Sequence, residues 1–378
     1  MNDWITTPIT AELVRGALAL EPTEQGVQPH RLLARARVQI PDGQLMMAEA
    51  QTSGIRLVFR TSATAVELDT LRTKNVYVGA PARPDALYDL LVDGKLVGQA
   101  STTGGNELRI DMSTGGAETV SGPVGTVRFD LPPGSKEVAI WLPYNEITEL
   151  IALRTDAPVE AVTTERRVWL HHGSSISHGS NAASGSQTWP ALAAAAAGVE
   201  LINLGFGGSA MLDPFTARAI RDTAADVISL KLGINLVNGD VMRLRVFGPS
   251  VHGFLDTIRE GHPDTPLLVV SPIFCAIHEQ TPGPAMPVMD GGQVRFRATG
   301  EPAPGKLTLS VIREELARIV KQRSEDDPNL HYLDGRELYA EGDPELPDNL
   351  HPDAETHRLM GARFAKAAAD FLAGDQPR

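Results

Sequence analysis

Length and charge narrow what this chain can do. At 378 residues it exceeds what one ordinary hydrophobic core requires, so two domains are expected. A content of 42% hydrophobic and 21% charged residues is that of a globular protein, and the net charge of −13 argues against nucleic acid or an anionic membrane as a partner. The single cysteine, Cys275, excludes an internal disulfide and any multi-cysteine metal site.

The sequence also predicts a soluble, cytoplasmic protein. Its N-terminus lacks the basic segment and apolar core of a signal peptide. No stretch reaches the roughly 18 apolar residues that a membrane-spanning helix requires. No feature of the sequence fixes an oligomeric state.

Alternation of apolar and polar residues runs through the first 160 residues and predicts half-buried strands. Asp93-Gly94 is a strong signal for a two-residue hairpin, since both positions favour positive φ. The segment from Pro132 to Ser135 predicts a second hairpin with a longer turn. Frequent turn signals without long helical stripes indicate an antiparallel all-β sandwich over residues 1–160. The predicted strands are 55–60, 65–69, 88–92, 95–97, 127–131 and 137–142.

This half of the chain lacks a residue set for catalysis. Trp141 and Tyr144, near its last predicted strand, are candidates for contacts with a ligand, although a role in the core or at a domain interface fits them equally well. Because clefts favour domain interfaces, the sandwich is expected to form one wall of an active-site cleft; the alternative is a packing module. The polar residues 157–166 are interpreted as the linker.

After Arg167, strands alternate with helical patterns. This alternation predicts an α/β three-layer domain with a parallel five-stranded sheet over residues 165–378. Asp213-Pro214 marks the start of one helix, with a capping side chain followed by a proline in the first turn. The predicted strands are 168–170, 200–204, 227–232, 267–270 and 331–333, and the predicted helices are 189–197, 215–222, 251–260, 307–324 and 354–372.

Chemically useful residues follow these strands. Ser174 and Ser175 follow the first, residues 205–208 the second and residues 233–235 the third, while residues 348–351 lie beyond the fifth. In open α/β sheets, ligands bind outside the carboxyl ends of the strands. These residues are therefore expected to meet in one site.

An activated serine needs partners of the kinds found here. A serine hydroxyl is a weak nucleophile until a base takes its proton, and a histidine such as His351 suits that task. Asp348 could accept a hydrogen bond from the other ring nitrogen. A glycine N–H and the Asn235 amide are suited to stabilise an oxyanion. Each element alone is weak, because Gly-Ser-Ser is usually a turn and Asp-x-x-His often caps a surface helix, but their placement on successive strand ends strengthens the joint case.

The four blocks resemble those of the SGNH/GDSL hydrolases, over residues 165 to about 375. Gly173-Ser174-Ser175-Ile176 stands where that family has Gly-Asp-Ser-Leu, and Gly208 falls at its second-block glycine. Residues 233–235 match its Gly-x-Asn, and residues 348–351 match its Asp-x-x-His. The resemblance implies a flavodoxin-like fold with Ser175 as nucleophile, His351 as base and Asp348 as the carboxylate that orients it. It also implies three oxyanion donors: the Ser175 N–H, the Gly208 N–H and the Asn235 side chain.

Two positions depart from the family pattern. Ser174 stands in place of an aspartate, and Leu236 replaces an aspartate that often follows the asparagine. Neither replaced residue performs the acyl transfer, so the mechanism is expected to persist, and the family pattern favours Ser175 over Ser174 as nucleophile. Ser174 and His178 are candidates for contacts with the substrate.

The order of the two domains resembles family members in which a carbohydrate-binding-module-like sandwich precedes the catalytic domain. Some of these are carbohydrate esterases, and the chain also resembles members that transfer acyl groups in antibiotic biosynthesis. It implies an acyltransferase that moves an aryl or other acyl group from a coenzyme A thioester to a hydroxyl of a bulky polyketide, with no bound cofactor. The alternative is a carboxylesterase that hydrolyses small or carbohydrate esters, because water can replace the acceptor.

Three other interpretations fit parts of the sequence. Gly205-x-Gly207-x-x-Ala210 resembles a dinucleotide fingerprint, but the next strand ends without an acidic residue and the helix begins only at Asp213-Pro214. His171, His172 and His178 could suggest a metal site, although no carboxylate lies nearby at ligand spacing, and no metal is expected. A non-catalytic binding protein would leave the serine, histidine and aspartate without a use.

Overall fold

The chain folds into two compact units that are interleaved in sequence. The computed structural model describes residues 4–79, 84–111 and 114–374. The first unit combines the chain up to Leu33 with Glu49–Glu165 and Ser184–Ser186. The second combines Ala34–Ala48, Arg166–Ala183 and the chain from Gln187 onward. A short segment from the N-terminal half therefore packs with the C-terminal half.

The first unit is built from strands. They are β1 (Ile5–Thr7), β2 (Val14–Arg15), β3 (Ala19–Pro22), β4 (Val27–His30), β5 (Arg56–Thr61), β6 (Ala65–Tyr77), β7 (Tyr88–Val92), β8 (Lys95–Ala100), β9 (Asn106–Asp111), β10 (Gly116–Val120), β11 (Gly125–Asp130), β12 (Lys136–Trp141), β13 (Ile147–Thr155) and β14 (Val159–Ala161). One sheet has the order β10-β9-β6-β13-β4-β3, with β1 on β13 and β11 on β6; the other has the order β14-β5-β12-β7-β8, with β2 on β5.

An apolar core joins the two sheets. Phe59 and Ile140 come from one sheet, Leu68 and Leu153 from the other, and all four are fully buried in the same cluster. Side chains alternate across a strand, so each sheet gives one face to this core and one to its surroundings. The predicted sandwich is confirmed, but it is not wholly antiparallel, because β6 and β9 pair in parallel.

The two predicted hairpins differ in outcome. Asp93 and Gly94 both have positive φ, 46° and 77°, and join β7 to β8 as an antiparallel pair, as predicted. The hairpin predicted around Pro132–Ser135 is wrong. β11 pairs with β6 in one sheet, whereas β12 pairs with β5 and β7 in the other. The connection therefore crosses the sandwich, and residues predicted as linker include β14, which pairs with β5.

The second unit surrounds a parallel sheet with helices. Its elements are α1 (Ala34–Arg37), α2 (Gly43–Ala50, of which the first six residues belong to this unit), β15 (Val168–Gly173), α3 (Ser175–His178), α4 (Trp189–Ala197), β16 (Glu200–Gly205), α5 (Pro214–Arg221), β17 (Val227–Lys231), α6 (Ile234–Asn238), α7 (Leu244–Arg259), β18 (Leu267–Val270), β19 (Ala285–Asp290), β20 (Gln293–Ala298), α8 (Leu309–Arg323), β21 (Leu330–Leu333), α9 (Ala354–Ala367) and α10 (Ala369–Ala373).

The parallel sheet has the order β16-β15-β17-β18-β21, which is the 2-1-3-4-5 order of flavodoxin-like folds. Its central strands are buried on both faces, which explains their continuous apolar sequences. The order reverses between β15 and β17, and such a switch point is where open α/β sheets bind ligands. The fold class predicted from the sequence is confirmed.

Two predicted helices have different limits. α7 begins at Leu244, well before the predicted 251, and contains Pro249 in its interior. The last predicted helix is divided at Ala368, where φ is −107° and ψ is 22°, into α9 and α10. Among the described residues, no helix has both the length and the apolar character needed to cross a membrane.

Candidate active site

The turn after β15 places Ser175 at the start of a short helix. Strand β15 ends at Gly173, and Ser174 caps α3, accepting a hydrogen bond from the Ile176 N–H on its hydroxyl at 3.3 Å. Ser174 is completely buried, whereas Ser175 retains 8% exposure. The capping hydrogen bond and full burial engage Ser174, so the geometry distinguishes two serines that are adjacent in sequence.

His351 faces the Ser175 hydroxyl. The distance between Ser175 Oγ and His351 Nε2 is 2.9 Å. The other ring nitrogen, Nδ1, lies 2.8 Å from Asp348 Oδ2. An imidazole with a hydroxyl on one nitrogen and a carboxylate on the other is held in the tautomer that can accept the hydroxyl proton.

Asp348 organises the loop that carries the histidine. Its Oδ1 accepts hydrogen bonds from the backbone N–H groups of Leu350 at 3.0 Å and His351 at 2.6 Å. Burial would raise the pKa of Asp348, but the hydrogen bond and charge interaction with His351 and these two N–H groups outweigh it, so the pKa lies below its usual value. The carboxylate is therefore anionic at neutral pH and can stabilise a protonated imidazole.

Two further strand ends present hydrogen-bond donors. Gly208 follows β16 with a φ of 72°, and a Cβ built on the preceding Gly207 would lie 3.8 Å from the Ser175 Cβ. Asn235 lies in the first turn of α6, and its Oδ1 accepts the Ala210 N–H at 3.0 Å, which turns the Nδ2 donor away from that loop.

Gly233 allows the chain to turn between the end of β17 and the start of α6, just before Asn235. Its φ is 121°, and a Cβ there would lie 2.7 Å from the Ile312 side chain and 3.0 Å from Pro272. Only glycine fits this conformation without strain. The geometry thus explains why a glycine stands two residues before Asn235.

Comparison with known families agrees with this arrangement. The model of the GDSL-like lipase/acylhydrolase family matches residues 172–359, a range that includes all four blocks. The chain carries a GDSL/SGNH lipase–acylhydrolase domain. A comparison with curated proteins found no match.

Solved structures resemble the whole chain, not only the GDSL domain. A salicylyl acyltransferase from a tetracycline biosynthetic pathway superimposes with a TM-score of 0.81 at 28% identity, covering 99% of each chain. A GDSL-like lipase-family protein from Bacteroides ovatus has a TM-score of 0.72 at 18% identity over 98% of each chain. A family two carbohydrate esterase from Clostridium thermocellum has a TM-score of 0.59 at 13% identity, covering 85% of this chain and 94% of its own. The last two comparisons concern the fold alone.

Gly207 of the GDSL domain is held at both its N–H and its carbonyl. The Gly207 N–H donates to His178 Nδ1 at 3.2 Å, and the Gly207 carbonyl accepts from Gln44 Nε2 at 2.8 Å. Because a peptide group is planar, fixing the Gly207 carbonyl also fixes the direction of the Gly208 N–H. His178, a predicted substrate contact, instead supports the preceding peptide, which joins Phe206 to Gly207. Gln44 comes from α2 and was not anticipated, because nothing in the local sequence indicates its partner.

The two histidines of β15 are part of the scaffold beneath the site. His171 Nδ1 lies 2.7 Å from Ser229 Oγ, and His171 Nε2 lies 2.8 Å from Ser177 Oγ. These two contacts connect α3 to the sheet. His172 Nδ1 donates to the Leu204 carbonyl at 2.8 Å. Burial lowers the pKa of both, that of His172 to about 4, and both rings are neutral at pH 7. Over residues 4–79, 84–111 and 114–374, no group of three or more His, Cys, Asp or Glu side chains is placed to hold a metal ion.

His357 is a second unanticipated support. Its Nδ1 accepts the Trp189 N–H at 3.1 Å, and its Nε2 donates to the Ser180 carbonyl at 3.0 Å. It therefore joins α9 and α4 to the loop that follows the nucleophile helix. Burial lowers its pKa to about 4, which keeps it neutral and able to both donate and accept.

Trp141 and Tyr144 belong to the first unit. Trp141 is 8% exposed at the end of β12 and lies beneath the Arg56 guanidinium, whose Cζ is 4.7 Å from the ring centroid. Tyr144 is partly buried in the turn that follows β12. Contact of either residue with a substrate stays a prediction.

Proposed function

We propose that the protein is a serine acyl-transfer enzyme that works through an acyl-enzyme at Ser175. The observation that carries this proposal is the continuous hydrogen-bonded chain from Ser175 Oγ through His351 to Asp348, with distances of 2.9 and 2.8 Å. Such a chain generates a nucleophile from an otherwise unreactive hydroxyl.

In the first step, Ser175 Oγ attacks the carbonyl carbon of the acyl donor while its proton moves to His351 Nε2. The carbonyl oxygen becomes an oxyanion, and the N–H groups of Ser175 and Gly208 and the Asn235 amide are its proposed hydrogen-bond donors. When the intermediate collapses, the bond to the leaving group breaks and His351 returns the proton to it. The product is an ester between the acyl group and Ser175.

In the second step, the incoming hydroxyl takes the place of the leaving group. It loses its proton to His351 as its oxygen attacks the acyl carbon, and the proton then returns to Ser175 Oγ when the acyl-enzyme bond breaks. Transfer and hydrolysis differ only in whether a bound alcohol or water attacks.

We further propose that the enzyme is an acyltransferase that moves an aryl or other acyl group from a coenzyme A thioester to a bulky polyketide hydroxyl, in antibiotic biosynthesis. The full-length similarity to the salicylyl acyltransferase, at 28% identity, supports this reading. A coenzyme A donor is a cytoplasmic metabolite, so a cytoplasmic location is part of the proposal. Hydrolysis of small or carbohydrate esters is the second candidate, favoured by the shared fold of the carbohydrate esterases.

The division of acyl groups between the acceptor and water tests whether the enzyme is a transferase or a hydrolase. The purified protein is supplied with an aryl-acyl coenzyme A thioester, with and without a polycyclic hydroxyl acceptor, and the ester product and free acid are quantified. We expect the acceptor to divert most acyl groups from water. The Ser175→Ala variant should form neither product.

Two results would count against the proposal in different ways. If free acid forms at the same rate whatever acceptor is added, the enzyme is a hydrolase. If the wild-type protein and Ser175→Ala behave identically toward thioesters and simple esters, the acyl-enzyme itself is wrong.

Gln44→Ala is expected to lower kcat by roughly three- to tenfold, with little change in KM. The loss of one hydrogen bond worth about 1 kcal/mol would loosen the Gly208 N–H, which matters most when the oxyanion forms. Gln44→Glu has nearly the same shape but cannot donate to the Gly207 carbonyl, so it should not restore the rate.

Met46→Ala is the matched control for Gln44. Met46 lies on the same helix and is 58% exposed. Steady-state kinetics and the melting temperature of all three variants separate positioning from stability. An unchanged kcat in Gln44→Ala and Gln44→Glu would contradict the role assigned to this side chain.

A further inference from the structure

An inserted hairpin between β18 and α8 presents one entirely apolar face. β19 and β20 pair antiparallel around Gly291-Gly292, with Met289 opposite Val294 and Pro287 opposite Phe296. Directly opposed residues of an antiparallel pair project to the same side, and residues two apart along a strand share that side. This face, which we call the apolar hairpin face, consists of Ala285, Pro287, Met289, Val294, Phe296 and Ala298.

One residue of the apolar hairpin face, Phe296, contacts His351, the proposed general base. The Phe296 and His351 rings meet edge to face, with centroids 5.6 Å apart and an interplanar angle of 77°. The Phe296 N–H donates to the Asp348 carbonyl at 2.9 Å, and Asn349 Nδ2 donates to the Phe296 carbonyl at 3.2 Å. These bonds tie the hairpin to the loop that orients His351.

The same face continues outward into solvent. Val294 is two residues from Phe296, a step of about 7 Å along a strand, and Met289 lies beside it. Val294 is 39% exposed and Met289 is 62% exposed. This exposed apolar surface begins beside the proposed general base. We therefore expect a bound substrate to cover it.

The chemistry of His351 decides which part of the substrate this face would meet. In the proposed mechanism, His351 Nε2 gives its proton to the leaving group and later takes one from the acceptor, so both must lie on the His351 side of the acyl carbon. Phe296 of the apolar hairpin face contacts the same imidazole ring.

We infer that the apolar hairpin face binds the apolar body of the alcohol or thiol component, meaning the group that leaves in the first step and the acceptor that enters in the second. The inference rests on the proposed function and adds a substrate class: acceptors with an extended aromatic or alicyclic surface next to the reacting hydroxyl. Met289 and Val294 are the residues that determine this specificity.

The test uses two esters that carry the same rings on opposite sides of the ester bond. In 2-naphthyl acetate the rings belong to the leaving alcohol, and in methyl 2-naphthoate they belong to the acyl group. Hydrolysis of each is measured for the wild-type enzyme and for Met289→Ser/Val294→Ser. Each ester is compared between proteins, so the different reactivities of the two leaving groups cancel.

We expect the ratio of kcat/KM for 2-naphthyl acetate to kcat/KM for methyl 2-naphthoate to fall about tenfold in the double variant. Met286→Ser is the matched control, because Met286 is 49% exposed on the opposite face of the same hairpin and should leave the ratio within twofold. Circular dichroism and melting temperatures show whether each variant is folded.

The remaining outcomes overturn the inference. A ratio that rises would assign the face to the acyl group, and a ratio that stays constant, or that shifts equally in Met286→Ser, would remove its role in specificity. If the wild-type protein turns over neither ester nor any thioester, the proposed function is wrong, and the inference about the hairpin is wrong with it.

Discussion

Replacing His351 with alanine should lower the rate of acyl transfer by about four to six orders of magnitude, because its ring is the proposed acceptor of the Ser175 proton. The ring makes hydrogen bonds to Ser175 at 2.9 Å and to Asp348 at 2.8 Å, and alanine removes both. The expected loss is in kcat. Release of nitrophenolate from a p-nitrophenyl ester measures it directly.

His252→Ala provides the comparison for a histidine of the same domain. His252 lies on α7 and contacts Arg323, and it is not part of the site. A fluorophosphonate probe gives a second readout, since it labels only an activated serine. Labelling should be lost in His351→Ala and Ser175→Ala and kept in Ser174→Ala. Turnover of His351→Ala within tenfold of the wild-type rate would show that the base has been misassigned.

Replacing Asn235 should lower kcat by about 10²- to 10³-fold while leaving KM nearly unchanged. The amide is 2% exposed, and its oxygen already accepts the Ala210 N–H, so its contribution to the reaction would come from Nδ2. A donor aimed at developing negative charge acts in the transition state and not on the bound ester. The effect therefore belongs in kcat.

Asn235→Asp separates catalysis from folding. An aspartate keeps the oxygen that accepts the Ala210 N–H but replaces the donor with a second oxygen. Circular dichroism should show that this variant keeps the fold, although the buried carboxylate lowers its melting temperature, while its kcat falls at least as far as in Asn235→Ala. If Asn235→Asp keeps more than about a tenth of the wild-type rate, the amide is not an oxyanion donor.

Much of the parallel sheet and of the candidate site could be predicted because local patterns determine them. Strands buried on both faces leave unbroken apolar sequences, and the lengths of β16, β17 and β18 were predicted to within one residue. Ser175 and Asn235 follow the ends of neighbouring strands and His351 lies in a turn, and the fold brings the side chains of Ser175 and His351 within 2.9 Å of each other. The choice of Ser175 over Ser174 came from the family pattern, and Ser175 is the serine whose hydroxyl lies 2.9 Å from His351.

The inserted hairpin was missed although part of its signal is present. Gly291-Gly292 between alternating residues is a typical hairpin sequence, and both glycines have positive φ, 56° and 82°. Pro287 obscured it, because a proline within an alternating run argues against a strand unless the strand is at an edge. Both strands of this hairpin are edges, so the proline is tolerated.

Other differences arise from tertiary structure that no local window contains. The Pro132–Ser135 turn is the same in sequence whether its flanking strands pair or enter separate sheets. Gln44 lies in a short helix whose sequence does not reveal a partner in residues 207–208. The division at Ala368 occurs without a glycine or proline, so the pattern of α9 continues smoothly into α10.

The placement of Ala34–Ala48 affects how the protein can be made. Helix α1 packs against α5, and Gln39 accepts a hydrogen bond from Arg218, which lies 179 residues later. At ribosomal rates of about 5 to 20 residues per second, these helices leave the ribosome roughly 10 to 40 seconds before their partners exist. The first unit, which ends at Ser186, can assemble before Arg218 is made, but the second unit, which holds the proposed nucleophile, cannot be completed until the chain has passed Arg218. Contacts of such long range slow folding, so we expect the second unit, which carries the proposed nucleophile, to become ordered after the first during synthesis.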